Sequence, residues 1–287
     1  MKIAAINTPK GKIFGAVEGD SFRPFSVGGA ALRDLRHVIK LLAAGSAPEY
    51  GEPVGLARAK LAAPVGPLSK NVICVGKNYY DHAREFAQSG IDQSGDKQDV
   101  PADPVIFTKS PSSLAGPGDK IAAALDPTHT VDYEGEFGVV IGKYAKNVRR
   151  EDALEYVFGY TIVNDMTARA VQQKHKQWFL GKSLDGFCPV GPYVVTRDEF
   201  GVPAEQELST YVNDERRQFA KLKDMIFDVP TFIETVTAYV PLEPGDLLAT
   251  GTPAGVGIGF DPPRYLKAGD VVRIAISGIG ELVNPIV

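Results

Sequence analysis

The chain has 287 residues, of which 44% are hydrophobic and 23% charged, with a formal net charge of −4. This composition is that of a globular protein with enough apolar residues for a large core, which argues against disorder. The slight negative charge and the absence of a long Lys/Arg run argue against a nucleic-acid partner, because such surfaces depend on clustered positive charge.

No apolar run is long enough to cross a membrane or to form a signal-peptide core, so we expect no membrane partner and a cytoplasmic location. The two cysteines, Cys74 and Cys188, are far apart in sequence and form no C-x-x-C pair. Neither a zinc site nor a redox motif is indicated, and we interpret both as buried thiols.

The first 65 residues predict a small accessory unit. Lys2 to Ile6 and Lys12 to Val17 form a predicted hairpin, because a turn-rich stretch containing Pro9 and Gly11 separates them. Apolar residues at helical spacing follow between Leu32 and Leu42 and predict one amphipathic helix. We therefore divide the chain into an N-terminal α+β unit, residues 1–65, and a main domain, residues 66–287.

The main domain consists largely of short β-like runs separated by Gly and Pro, with few and brief helical patterns. The predicted strands are 72–75, 105–107, 137–141, 160–163, 193–195, 247–249 and 271–276, and the predicted helices are 150–157, 167–174 and 230–238. Regular βαβ alternation is lacking, so the fold class is predicted to be α+β and dominated by β-structure. Residues 85–104 predict a mobile loop of the kind that forms lids.

The string from Asp132 to Gly142 places two acids beside an apolar strand. Side chains alternate along a strand, so Glu134 and Glu136 share one face and Phe137 lies on the other. Two adjacent carboxylates repel each other, and a Mg²⁺- or Mn²⁺-like ion relieves that cost through oxygen ligands. The alternative is an edge strand with two solvent-exposed acids.

A second string, Tyr160 to Gln172, combines an apolar strand, Asn164-Asp165 and the start of a helix. If the helix begins near Asp165, Arg169 and Gln172 follow at i+4 and i+7 on the same stripe. The alternative is that Asp165 only caps the helix and that Arg169 and Gln172 are solvated.

Two further candidates carry positive or titratable groups. His82 and Glu85 are three residues apart on a predicted helix, so the carboxylate can orient the imidazole as a general base requires. Lys182 is flanked by glycines and aromatic residues, where its ammonium can meet an anion in a partly dry pocket; the alternative is a surface turn. The glycine-rich string from Thr250 to Gly259 lacks a following helix, which excludes a dinucleotide fingerprint.

Five of these strings, in this order, resemble the signature of the fumarylacetoacetate hydrolase family. They are N-Y-Y-D-H-A-R-E at 78–85, D-Y-E-G-E at 132–136, N-D-M-T-A-R at 164–169, G-K-S at 181–183 and T-G-T-P-A-G-V-G at 250–257. The likeness extends from about residue 71 to the end of the chain.

The resemblance implies a mixed β-sandwich or β-roll with a small N-terminal α+β unit, assembled as a homodimer. It also implies one Mg²⁺ or Mn²⁺ ion per subunit, held by Glu134, Glu136 and Asp165. His82 and Glu85 would then activate water on a lid, and Arg169, Gln172 and Lys182 would stabilise an oxyanion or enolate, while Thr252 would line the pocket.

The activity expected from this resemblance is hydrolysis of a carbon–carbon bond in an acylpyruvate-like or 2,4-diketo acid. Decarboxylation of oxaloacetate or another 2-oxo diacid is the alternative, and isomerase or lyase activity on a related 2-oxo acid remains open. A non-catalytic module that binds a metal and a metabolite is the alternative outside enzymes. Ala170 stands where many relatives have an acid, which concerns the substrate more than the metal.

Overall fold

The computed structural model describes residues 1–88 and 100–287, with the side chains of residues 86 and 88 excepted. Six α-helices are described: α1 Leu35–Ala43, α2 Tyr80–Gln88, α3 Arg169–Lys174, α4 Phe179–Lys182, α5 Arg197–Phe200 and α6 Val229–Tyr239. Strands outnumber them, which confirms the prediction of a β-dominated α+β fold. None of the described helices is long and apolar enough to span a membrane.

The first strands belong to one large sheet. They are β1 Lys2–Thr8, β2 Gly11–Glu18, β3 Ser21–Val27, β4 Ala30–Ala31, β5 Glu49–Tyr50, β6 Val54–Gly55, β7 Leu61–Ala62, β8 Val72–Gly76, β9 Val105–Lys109 and β10 Leu114–Ala115. The later strands are β11 Val131–Asp132, β12 Gly135–Ile141, β13 Val157–Asn164, β14 Thr167–Ala168, β15 Cys188–Thr196, β16 Glu207–Val212, β17 Glu215–Lys221, β18 Leu247–Ala249, β19 Val271–Ile276 and β20 Gly280–Pro285.

The main sheet runs in the order β4-β3-β2-β1-β15-β13-β12-β18-β8-β9. The strand β1 pairs antiparallel with β15, so the predicted N-terminal hairpin extends the same sheet as the rest of the chain. A four-stranded sheet, β17-β16-β19-β20, and a short pair, β11-β14, complete the described strands. The division of the chain at residue 65 stays a prediction.

The strand β12 lies in the interior of the main sheet and separates two apolar cores. Phe137, Val139 and Ile141 belong to one core, whereas Val140 belongs to the other. Every residue of β12 is buried. The alternative of an exposed edge strand is therefore wrong, because β13 and β18 pair with the two edges of β12.

Two local predictions need correction. The helix does not begin near Asp165: Thr167–Ala168 pair antiparallel with Val131–Asp132, and the helix α3 begins at Arg169. Residues 150–156 form a 3₁₀ helix, and Val157 already opens β13. The core of the predicted lid, residues 89–99, lies outside the described residues.

Candidate functional site

Three carboxylates converge where two antiparallel strands meet. Glu134 precedes β12, Glu136 lies within it, and Asp165 directly follows β13. Gly135 pairs with Asn164, and the backbone N–H of Asp165 donates to the carbonyl of Glu134 at 2.9 Å. One oxygen from each carboxylate lies within 4.8 Å of the others, and all three residues are buried.

The pKa values of Glu134 and Glu136 are shifted in opposite directions, because different charges lie next to the two carboxylates. Burial raises the pKa of Glu134, but the charges of Lys182 and Arg169 outweigh burial and lower that pKa to about 2. The pKa of Glu136 lies well above its usual range, because burial and then the negative charges of Asp165 and Glu134 disfavour its ionised form. The backbone N–H of Gly251 donates to Glu136 at 2.8 Å and offsets only part of this effect.

Lys182 joins two of the three acids. Its ammonium donates to Glu134 and to Asp165, both at 2.7 Å, and the side chain is buried on α4. Burial lowers the pKa of Lys182, but the two carboxylates outweigh burial and raise it. The alternative of a lysine in a surface turn is therefore wrong.

Arg169 is the first residue of α3 and is buried. Its Nε donates to Asp132 at 2.9 Å, and its Nη1 lies 2.7 Å from Glu134. Its Nη2, which is also buried, has no hydrogen-bond partner among the described residues. A buried guanidinium N–H without a partner is costly, so this atom is suited to bind an oxygen atom of a ligand.

Gln172 and Thr252 complete this side of the site. Gln172 accepts a hydrogen bond from Nη1 of Arg169 at 3.3 Å. The hydroxyl of Thr252 donates to the carbonyl of Gly135 at 2.9 Å and accepts from Gln218 at 2.8 Å. Thr252 therefore fixes the backbone between the two glutamates, a function that its place in a glycine-rich string did not predict.

The predicted pair of His82 and Glu85 forms on α2. The Nδ1 of His82 lies 3.2 Å from Glu85, whose carboxylate also accepts from the backbone N–H of Gly255 at 3.0 Å. The imidazole is buried beside a carboxylate that is itself held in place. This arrangement stabilises a proton on Nδ1 and orients the ring.

Seven of the nine predicted site residues line one cavity, which encloses about 290 Å³ of space including its open mouth. They are His82, Glu134, Glu136, Arg169, Gln172, Lys182 and Thr252. Glu85 and Asp165 lie behind this lining and bond to His82 and Lys182 respectively. The structure thus brings all nine together, whereas their individual roles stay predictions.

A divalent cation fits the three carboxylates. The donors are all oxygen atoms, as hard cations such as Mg²⁺ and Mn²⁺ require. Glu136 is buried among negative charges that raise its pKa, and a cation at this point would stabilise its ionised form. Glu134, Glu136 and Asp165 can therefore hold a divalent metal ion.

The sequence did not predict two charged residues that bond to the site residues. The buried ammonium of Lys109, at the end of β9, donates to Asp165 at 2.6 Å and to the carbonyl of Met166 at 3.1 Å. Asp132 accepts from the backbone N–H groups of Gly257 and Ile258 at 2.6 and 3.0 Å, in addition to Arg169. In the sequence, Lys109 could have been found as a charged residue at the end of an apolar strand. Asp132 could have been found as the first residue of the D-Y-E-G-E string.

The chain is similar to known proteins over most of its length. It is 48% identical over 231 residues to oxaloacetate tautomerase YisK of Bacillus subtilis (strain 168), covering 80% of this chain and 74% of that protein. A fumarylacetoacetate hydrolase from Exiguobacterium antarcticum is 40% identical, with a TM-score of 0.82, covering 100% of this chain and 99% of that one. The 2-hydroxyhepta-2,4-diene-1,7-dioate isomerase from Mycobacterium marinum is 36% identical, with a TM-score of 0.77, covering 100% and 98%.

Residues 71–287 match the family described as "Fumarylacetoacetate (FAA) hydrolase C-terminal". This range contains all nine predicted site residues and begins close to the point at which the sequence resemblance begins. The chain therefore belongs to the fumarylacetoacetate hydrolase family and is an enzyme of that family.

Proposed function

We propose that this enzyme interconverts the keto and enol forms of a small 2-oxo diacid of the oxaloacetate type. The observation that carries the proposal is that Arg169, whose buried Nη2 has no hydrogen-bond partner among the described residues, lines the same cavity as Glu134, Glu136 and His82. An anionic oxygen of a ligand would satisfy this donor. The 48% identity to an oxaloacetate tautomerase supports the choice of substrate.

In the keto-to-enol direction, the C3–H bond of the substrate breaks and its electron pair forms the C2=C3 double bond. The π pair of the C2 carbonyl moves to O2, which then takes up a proton from solvent, and His82 later returns the C3 proton to solvent. His82 accepts the C3 proton at Nε2, because Glu85 holds a proton on Nδ1 and leaves Nε2 as the basic nitrogen. No oxidant, reductant or water is consumed.

The charge that develops on O2 needs stabilisation. Nη2 of Arg169 donates to the substrate oxygens, and the ammonium of Lys182 adds positive charge on the same side of the cavity. A divalent cation, Mg²⁺ or Mn²⁺ with one ion per subunit, supplies Lewis-acid polarisation of the 2-oxo group when it is bound. Gln172 holds the guanidinium in place by accepting from Nη1.

Hydrolysis of a carbon–carbon bond in an acylpyruvate-like or 2,4-diketo acid is the second candidate. The hydrogen bond between His82 and Glu85 favours it, because an oriented imidazole can also remove a proton from water. Similarity to the fumarylacetoacetate hydrolase from Exiguobacterium antarcticum supports it. Decarboxylation of oxaloacetate would use the same charge stabilisation without water. We also propose a homodimer, and a cytoplasmic location stays a prediction.

The test follows ultraviolet absorbance of enol-oxaloacetate after chelator treatment and readdition of Mg²⁺ or Mn²⁺. Release of CO₂ and cleavage of an acylpyruvate panel are measured in parallel. We expect metal-restored tautomerisation to be the fastest of the three reactions. Faster acylpyruvate cleavage would instead establish the hydrolase, and no turnover of any substrate would leave a binding module.

The variant His82→Ala tests the proposed base. It should lower the tautomerisation rate about 10²–10⁴-fold, the usual contribution of general acid–base catalysis. His37→Ala, which removes an exposed histidine on α1, is the matched control and should leave the rate unchanged. Tautomerisation that survives in His82→Ala would refute the assignment of this base.

A further inference from the structure

Lys77 is a buried cation of the cavity to which the proposed reaction gives no function. It directly follows β8, is 3% exposed and lines the cavity with the acids and His82. Its φ of 55° places a non-glycine residue in the left-handed region. Such conformations persist only where the surrounding structure imposes them, and they cluster at functional sites.

The backbone on both sides of Lys77 is fixed by its neighbours. A Cβ atom on Gly76 would lie 2.4 Å from the ring of Trp178, so only glycine lets this ring approach the turn. On the other side, the amide of Asn78 donates to the carbonyls of Thr250 and Phe227 at 2.7 and 2.9 Å. The turn is thus held between β8, the aromatic ring and the segment after β18.

Lys77 reaches the cavity from the turn after β8, whereas Lys182 reaches it from α4. The ammonium of Lys182 lies 5.1 Å from the centroid of the Phe107 ring, on the side of the metal-binding acids. The same Phe107 ring reaches the Gly76 position, since its Cε1 would lie 3.6 Å from a Cβ there. The aromatic pair of Phe107 and Trp178, with centroids 5.1 Å apart, therefore contacts both the ammonium of Lys182 and the turn that carries Lys77.

We propose that the ammonium of Lys77 binds the distal carboxylate of the substrate and selects 2-oxo diacids over 2-oxo monoacids. This inference rests on the proposed function, in which the 2-oxo acid end of the substrate lies against Arg169 and Lys182. A four-carbon diacid then carries its second carboxylate away from the metal-binding acids. An ammonium group meets this charge with a charge-assisted hydrogen bond, whereas a methyl group gains nothing from it.

The experiment compares the binding of oxaloacetate with that of 2-oxobutyrate, in which a methyl group replaces the distal carboxylate. Trp178 is the single tryptophan of the chain and lines the cavity, so its fluorescence reports binding in the presence of Mg²⁺ without requiring turnover. The variants are Lys77→Met, which keeps side-chain length, and Lys77→Arg, which keeps the charge. Lys70→Met, which removes a lysine bonded to the carbonyl of Pro241, is the matched control.

We expect Lys77→Met to weaken oxaloacetate binding about tenfold to hundredfold, the loss of one hydrogen bond between charged groups, and 2-oxobutyrate binding by less than about threefold. Lys77→Arg should retain most of the preference for the diacid, and Lys70→Met all of it. Equal weakening of both ligands, or unchanged oxaloacetate binding, would overturn the inference. If Lys77→Met does not fold, Lys77→Asn replaces it, because asparagine tolerates a positive φ.

The two proposals fail in different ways. A preference for diacids that depends on Lys77, without tautomerisation, would refute the proposed reaction and keep the ligand assignment. Tautomerisation of oxaloacetate with the same KM in the wild type and in Lys77→Met would refute only the role of Lys77.

Discussion

Gly135 lies between Glu134 and Glu136, the two glutamates proposed as metal ligands, and offers a sharp test of how the site is positioned. A Cβ atom at this position would lie 2.1 Å from Oγ1 of Thr210 and 3.2 Å from Cγ2 of Ile274. The first distance is far below van der Waals contact, so β12 and β16 would have to move apart. Overpacking of this kind costs about 1–3 kcal/mol, and we expect Gly135→Ala to lose this much free energy of unfolding in urea.

The same shift should displace Glu134 and Glu136 and weaken divalent-cation binding about tenfold to hundredfold, as loss of supporting contacts at metal sites does. Gly159→Ala, in the partner strand β13, is the matched control. Its Cβ would lie 2.4 Å from the carbonyl oxygen of Val195, and Gly159 is six residues before Asp165. This variant should also lose stability, but its affinity for Mg²⁺ or Mn²⁺, measured by calorimetry, should stay close to that of the wild type.

A compensating variant identifies the atom responsible. Thr210→Ala removes Oγ1, which has no hydrogen-bond partner among the described residues, and opens space for the new methyl group. The double variant Gly135→Ala/Thr210→Ala should therefore be more stable than the sum of the single changes, by a coupling of about 0.5–3 kcal/mol. Strict additivity of the two losses would refute the steric explanation.

Three further predictions concern charges. Lys109→Met leaves the buried Asp165 without one of its cations, so we expect a loss of about 3–5 kcal/mol in urea unfolding; a loss below about 1 kcal/mol would contradict this. Burial raises the pKa of Asp126, but hydrogen bonds from Thr128 and Thr130 together outweigh burial and lower it. The contribution of Asp126 to stability is therefore complete above about pH 4 and is lost as pH falls. The stability gap between wild type and Asp126→Asn should therefore shrink in urea titrations below that pH, and a constant gap would refute the assignment. Glu136→Gln replaces a carboxyl group whose ionised form is disfavoured by burial, so the metal-free variant should be no less stable than the wild type. Its increase in Tm on addition of Mg²⁺ should be smaller than that of the wild type. An increase in Tm equal to that of the wild type would exclude Glu136 as a ligand.

The sequence predicted those features that depend on neighbours along the chain. Alternation along a strand correctly placed Glu134 and Glu136 together, and the spacing of three residues correctly paired His82 with Glu85. The spacing could not show that β12 is an interior strand, because the partner on its second edge, β18, is distant in sequence.

The wrong start of α3 and the missed Lys109 also depend on partners that are distant in sequence. A helix starting near Asp165 agreed with local propensity, but pairing of Ala168 with Val131 keeps this stretch extended until Arg169. Lys109 was missed because its partner Asp165 is 56 residues further along the chain. Contacts at such separations depend on the tertiary fold and leave no periodic pattern in the sequence.

The three acids of the site come from one pair of antiparallel strands that are close in sequence, whereas His82 and Thr252 come from segments that are far apart in the chain. Glu134, Glu136 and Asp165 come together as soon as β12 aligns with β13. His82 and Thr252 reach the cavity only when β8 pairs with β18, two strands that lie far apart in the chain. A lesion that separates β8 from β18 would thus leave the three carboxylates assembled but without His82 and Thr252, so cation binding alone would be a poor test of an intact site.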